Sequence, residues 1–291
     1  MLRPEDAKSV ILSDRRRLSY FEVGHPDGKP IMFFHGTPNT AISVDETPPE
    51  TGARVISVNR PGYGESDPKP YRTLLEWADD VRELADHLDL GRFAVCGVSG
   101  GGPHVLVCAH ELVDRLACAA VVSSIGSPAY PVADERVNKN TQETVSTIRE
   151  SPARYYESLT ATVEKRMANP GADLQAVLAS MPEAERALFA SKLDVLPVWI
   201  NEAYTHGADG WFGDQMASRG NPWGFNLEDI RTPVLLYHGD ADSNVSVEVT
   251  REYERRIPGC RARYYPGEGH WAGRVHWLEI LRDVMNTGEW Q

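Results

Sequence analysis

The stretch CGVSGGGPH, Cys96 to His104, sets one hydroxyl, that of Ser99, among four glycines and ahead of a proline. Gly97 and Gly101 stand two residues either side of it, the G-x-S-x-G spacing of a strand-to-helix turn too tight for side chains at those positions. Such a turn lifts the serine above the sheet and leaves helix N–H groups beneath it, where negative charge is favoured. The stretch lacks G-x-G-x-x-G spacing and no Lys follows it as in a P-loop, so phosphate binding is the weaker reading. A serine hydroxyl attacks a carbonyl only when a base takes its proton and a third group orients that base.

On a strand–turn–helix framework the order is serine, acid, histidine. His270, in GEGHWAG just after the last strand-like run, is the expected base. His276, in RVHWLEILRDVM, reads as a helix-surface residue. The loop HGDADSNV offers Asp240 and Asp242. The Gly239-Asp240 pair has the chemistry of a tight turn, with the Asp bonding its own backbone, which leaves Asp242 as the expected acid. Backbone N–H groups of Gly100 and of Thr37, in the loop HGTPNT, are the expected oxyanion donors.

These residues need a scaffold. Strand-like runs occur at SVIL, LSYFEV, PIMFFHG, ARVISVNRPG, RFAVCGVSG, LACAAVVSS, TPVLLYHGD and RARYYPGEG. The later ones are nearly continuous apolar stretches, as in a parallel sheet covered on both faces. The expected fold is α/β, a doubly wound, mostly parallel sheet of about eight strands with an inserted helical region. In TLLEWADDVRELADHLDLG, Thr73 and Glu76 form a capping box, Leu74, Trp77, Val81, Leu84 and Leu88 form a stripe, and Gly91 ends the helix. The alternation stops between about Ser127 and Asp229, where helical, polar sequence is broken by Pro152, Pro170, Pro182 and Pro197. The expected division is a core of 1–126 and 230–291 with a helical cap, or lid, at 127–229. Trp199, Trp211 and Tyr204 of that cap are the candidate substrate-binding aromatics.

Composition narrows the partners. The chain of 291 residues is 41% hydrophobic and carries a net charge of −12, which disfavours nucleic acid and anionic membranes. The basic run Arg15 to Arg17 reads as a solvated turn. No metal-ligand spacing, C-x-x-C pair, signal peptide or membrane-length apolar run occurs. A small-molecule substrate, no metal, no organic cofactor and a cytoplasmic location are the expectations.

The segments FFHGTP, NRPGYGES, GVSGGG, PVLLYHGDAD and PGEGH together resemble the signature segments of α/β-hydrolase fold enzymes, in order, from about Ile31 to His270. NEAYTHGADGWFGD followed by PWGFNLEDIRTPVLL is similar to bacterial hydrolases often compared with prolyl iminopeptidases and haloperoxidases. The resemblance implies a serine hydrolase acting on an ester, lactone or related acyl bond. An aminopeptidase, a cofactor-free lyase on the same triad and a low-turnover receptor are the alternatives. Glu202 and Asp214 are where the aminopeptidase relatives would receive an amine, although both read more simply as solvated helix faces. Two positions depart from the pattern, Asn59 where Asp is frequent and Ser246 where Pro is frequent. Ser99 in place of an Asp nucleophile disfavours epoxide opening and dehalogenation.

Overall fold

The computed structural model describes residues 2–169, 178–179, 183–190 and 193–290. Eight strands form one sheet: β1 (Lys8–Ile11), β2 (Arg17–Gly24), β3 (Lys29–Phe34), β4 (Ala53–Val58), β5 (Phe93–Val98), β6 (Leu116–Val122), β7 (Val234–Gly239) and β8 (Arg261–Tyr265). Their spatial order is β1-β2-β4-β3-β5-β6-β7-β8. The pairings β1–β2 and β2–β4 are antiparallel and all later ones are parallel. Each strand-like run of the sequence contributes one strand.

The apolar runs are explained by burial on both faces. Along β3, Met32 and Phe34 pack with Trp77 and Leu84 on one side, while Ile31 and Phe33 pack with Trp277 and Ile280 on the other. Helix α1 (Leu74–His87) begins at the Thr73–Glu76 capping box. Its end differs from expectation. Asp89, not Gly91, takes the left-handed conformation at φ 50°, and Leu90 N–H reaches back to Ala85 C=O at 2.9 Å, a Schellman-type closure. Arg16 is also not solvated. Its guanidinium meets Asp80 of α1 at 2.6 Å and ties the β1–β2 turn to that helix.

After β5 comes α2 (Gly102–Glu111), with Pro103 in its first turn. Between β6 and β7 the described residues hold helices and no strand: α3 (Glu135–Glu150), α4 (Pro152–Ala168), α5 (Glu183–Ala190), α6 (Leu196–Ala203) and α7 (Asp209–Gln215). Pro152 and Pro197 sit in the first turns of α4 and α6, where a missing N–H costs little. Pro170 and Pro182 lie outside the described residues. This region has a small core of its own around Phe212 and Tyr204. It also sends Val132, Ala217, Trp223 and Leu227 into the main core. The chain closes with α8 (Val247–Arg256), α9 (Ala272–Val275) and α10 (Trp277–Met285).

The two departures from the family pattern have local reasons. Asn59 Oδ1 accepts from Thr40 Oγ1 and Ala41 N at 2.8 and 2.7 Å, while its Nδ2 donates to Ser19 Oγ at 3.0 Å. A carboxylate could not make the last bond. Ser246 caps α8, its side chain accepting from Glu248 N–H.

Candidate active site

Ser99 sits between β5 and α2 with φ +57°, a left-handed conformation rare for a residue with a Cβ. The flanking glycines allow it. A Cβ on Gly97 would stand 2.9 Å from Gly101 O, and one on Gly101 would stand 2.3 Å from Phe34 O. The chain therefore crosses over itself at the elbow and presses against β3.

His270 lies on the loop after β8. Its Nδ1 is 2.7 Å from Asp242 Oδ2. A carboxylate only accepts, so Nδ1 carries the proton and Nε2 is left free. Asp242 has no side-chain exposure. Its Oδ1 accepts Asn244 N–H and Val245 N–H at 2.8 and 2.9 Å, and His238 Nε2 stands 3.2 Å from Oδ2. Burial pushes the Asp242 carboxyl up, but bonds from His238 and His270, with the charge His270 can carry, hold it below the usual carboxylate range. His238 is fixed in turn by Thr250 Oγ1 at 2.6 Å and Val245 C=O at 3.1 Å.

Asp240 does not bond its own turn. Its Oδ1 accepts Gly267 N–H at 2.7 Å and braces the loop leading to His270. The turn-capping bonds expected of it belong to Asp242. His276 stacks on Tyr265 with centroids 3.9 Å apart and meets Glu268 at 2.8 Å.

Ser99 and His270 face one cavity of about 360 Å³, with Thr37 and Asn244 also at its polar end and Phe33, Val98, Val122, Trp271 and Trp277 along its apolar walls. Ser99 Oγ and His270 make no direct hydrogen bond, a common looseness in unliganded sites. Thr37 and Gly100 are neighbours, since a Cβ on Gly100 would stand 3.2 Å from Thr37 N. The carbonyl of Ser99 accepts Ile125 N–H at 3.3 Å and Gly102 N–H. In a trans peptide that turns Gly100 N–H the opposite way.

The expected substrate-binding aromatics are placed elsewhere. Neither Trp199, Trp211 nor Tyr204 lines this cavity. Tyr204 and Trp211 pack in the small helical core, where Arg166 donates to the Tyr204 hydroxyl at 2.9 Å and lies 4.9 Å from the Trp211 ring. Trp199 lies 5.0 Å from the Arg274 guanidinium and lines a second cavity of about 420 Å³ with Ile42, Thr47 and Val195. The cavity at Ser99 takes its own polar rim from Arg274, which meets Asp45 and Ser43 C=O at 2.7 Å each and lies 5.3 Å from the Trp271 ring.

Asp214 is likewise no solvated helix face. At 2% side-chain exposure it is paired with Arg60 and Arg72. Glu202 is half-buried, outside the cavity wall. Sequence reasoning missed His238, Glu185 and Arg274. Glu185 is buried and accepts Gly269 N–H at 2.5 Å, next to His270. His238 lies inside the HGDADSNV loop and Arg274 opens the RVHWLEILRDVM stretch, but neither carries a local signal of its role. Among the described residues no group of three or more His, Cys, Asp or Glu is placed to hold a metal ion, and no helix is long and apolar enough to cross a membrane.

A model of the alpha/beta hydrolase fold matches residues 29–275. The chain is 26% identical to a non-heme haloperoxidase of Rhodococcus erythropolis, over 95% of this chain and 97% of that protein. An esterase of Exiguobacterium antarcticum superposes with TM-score 0.69 at 18% identity, covering 96% of this chain and 99% of that one. An enol-lactonase of Burkholderia xenovorans gives 0.63 at 18%, covering 96% and 100%. At such identity the solved structures speak to fold alone. The family match spans the β3 loop, the serine elbow, the Asp242 loop and His270, and the chain belongs to the alpha/beta hydrolase fold family.

Proposed function

We propose that the protein is a serine hydrolase cleaving an ester, lactone or related acyl bond of a small to medium, partly apolar substrate. The observation that carries this reading is the 2.7 Å His270–Asp242 pair opening on the same cavity as the strained Ser99. Ser99 Oγ attacks the carbonyl carbon while His270 Nε2 takes the hydroxyl proton. Asp242 holds the imidazole in the tautomer that leaves Nε2 free and stabilises the imidazolium once formed. The N–H groups of Thr37 and Gly100 receive the oxyanion. His270 then returns the proton to the leaving alcohol, an acyl-enzyme remains on Ser99, and water enters by the same route in reverse order. Each step uses side chains and backbone of this chain, water and substrate.

Phe33, Val122 and Trp277 give the apolar part of the substrate its surface, and the Arg274–Asp45 pair marks the polar rim. The helical region between β6 and β7 is read as the cap because it reaches the site at Glu185, which accepts Gly269 N–H beside His270, while none of its described residues lines the cavity itself. The aminopeptidase reading loses its support here, because neither proposed amine anchor, Glu202 nor Asp214, lines the cavity.

The test is covalent. A fluorophosphonate should add one adduct per chain, mapped to Ser99. Ser99→Ala should fold, take no label and keep only the residual turnover left by binding and the oxyanion donors. A label on another serine, or full ester turnover in Ser99→Ala, would overturn the proposal.

A further inference from the structure

The most heavily bonded buried charge outside the reaction path is Asp214, on α7. Its Oδ2 accepts from the hydroxyls of Thr37 and Tyr63, the latter at 3.0 Å. Arg72 Nη2 meets Oδ1. Arg60 grips both oxygens, Nε to Oδ1 at 3.0 Å and Nη2 to Oδ2 at 2.7 Å. Burial pushes the Asp214 carboxyl up, and the charges of Arg60 and Arg72 outweigh it and hold the group well below its ordinary range. His35 and His104 beside it are pushed down by burial and by the Arg60 charge, and so are neutral at neutral pH. Two guanidiniums against one carboxylate leave one net positive charge fully enclosed. Such a cluster is an expensive way to hold a loop unless its geometry serves something further.

The geometry is specific at Arg60. With one edge of its fork pinned by Asp214, it turns donors on two successive carbonyls, Nη1 to His35 O at 2.5 Å and Nη2 to Gly36 O at 3.1 Å. His35 Nδ1 lies 2.8 Å from the same Gly36 oxygen. Gly36 C=O and Thr37 N–H belong to one trans peptide, so they point in opposite directions. Arg60 on the carbonyl side therefore fixes the N–H on the other side. A charge-assisted bond to the carbonyl also polarises that N–H. Asp214 in turn is placed by the seating of α7 on the loop after β4. The contact is backbone to backbone: a Cβ on Gly62 would stand 2.6 Å from Gly210 N.

We propose that Asp214 is a positioning residue for the oxyanion hole. Acting through Arg60, it aims and polarises Thr37 N–H, so that seating of the helical region on the sheet is coupled to catalytic power. This rests on the reading of Thr37 N–H as an oxyanion donor. A donor used only by the tetrahedral state affects kcat and leaves KM nearly untouched.

The experiment uses the full chain. Active sites are titrated to completion with a fluorophosphonate, and kcat per titrated site and KM are measured on a short acyl ester. In Asp214→Asn, kcat per titrated site should fall about 100-fold, the loss typical of one oxyanion donor, with KM within about threefold. Should Asp214→Asn not accumulate folded, Tyr63→Phe removes one bond to the carboxylate and should lower per-site kcat about fivefold, the worth of a single hydrogen bond. Per-site kcat equal to the parent's, with losses that merely track the number of titrated sites, would overturn the proposal. Failure of the parent to label at Ser99 would instead sink the hydrolase reading beneath it, so the two failures are distinguishable.

Discussion

Asp242 and Asp214 are both buried, both held below the ordinary carboxylate range and both heavily bonded, yet they sit in opposite situations. Asp242 is met by histidines, and His270 has a second ring nitrogen left over to face the cavity. Asp214 is met by guanidiniums that keep their charge, and the remaining donors of Arg60 end on carbonyls and on the Thr37 hydroxyl. In the proposed mechanism the charge of Asp242 therefore acts on the reacting atoms through the His270 ring. That of Asp214 reaches no group that could exchange a proton with substrate and acts through the fixed donors of Arg60. Burial of a carboxylate does not by itself mark catalysis. What its partner has left to offer does.

The largest effect should come from breaking the Asp242 side of this comparison. Asp242→Asn keeps the shape and can still cap Asn244 and Val245, but its amide can stabilise the wrong imidazole tautomer. Turnover should fall about 10⁴-fold with the fold intact, as in triads elsewhere. Asp240→Asn retains an acceptor for Gly267 N–H and should keep turnover within a few fold. Steady-state kinetics with circular dichroism decides. Collapse in Asp240→Asn with near-normal Asp242→Asn would reverse the assignment.

The next effect separates the two sites by pH. Both carboxylates have depressed native pKa values, so their stabilisation is complete above about pH 4 and is lost as pH falls further. The Asp214 cluster adds His104, fully buried and pushed down to about 3 by burial and the Arg60 charge. The unfolded chain binds that proton from about pH 6.5 downward while the native state refuses it. Stability should therefore begin to decline below about pH 6.5, with this one group contributing at most about 1.4 kcal/mol per pH unit. His104→Asn keeps a donor for Gly100 C=O and removes the His104 titration, leaving that of His35, which burial and the Arg60 charge also push down. The variant's urea midpoint should fall less steeply between pH 6.5 and 5 than the parent's. Parallel slopes would mean that His104 titrates alike in both states.

The same contrast explains what could be read from the sequence. Apolar continuity gave away the parallel strands because burial on both faces leaves no alternation to obscure them. Ser99, Asp242 and His270 stand at strand ends, where local signals are strong. The Asp214 cluster has no local signal: its partners lie 142, 154 and 177 residues away in the chain. Arg16 carries no local signal for the same reason, its partner Asp80 being 64 residues on. Asp89 carries none either, because the left-handed cap of a helix is most often Gly. The aromatic residues between β6 and β7 were legible as apolar but not as to which surface they meet, since periodicity reports a face and never its neighbour.

The smallest effect tests that last point at the cavity. Trp271 forms part of its wall, while Trp199 lines a separate cavity, 5.0 Å from the Arg274 guanidinium and packed on the cluster of Phe21, Ala41 and Ile42. Truncating a wall residue changes which acyl chain fits. Truncating a residue outside the wall removes packing without changing the space offered to substrate. Trp271→Ala should shift the ratio of kcat/KM between a short and a longer acyl ester by about tenfold in favour of the longer one, the scale of one or two methylenes in an apolar pocket. Trp199→Ala should leave that ratio within about twofold and appear as a lowered melting temperature, because it removes packing between α6 and the cluster of Phe21, Ala41 and Ile42. Competition between the two esters in one vessel measures the ratio without reference to enzyme concentration. A shift in Trp199→Ala as large as in Trp271→Ala would mean that the substrate extends past Arg274, and would return Trp199 to the binding surface.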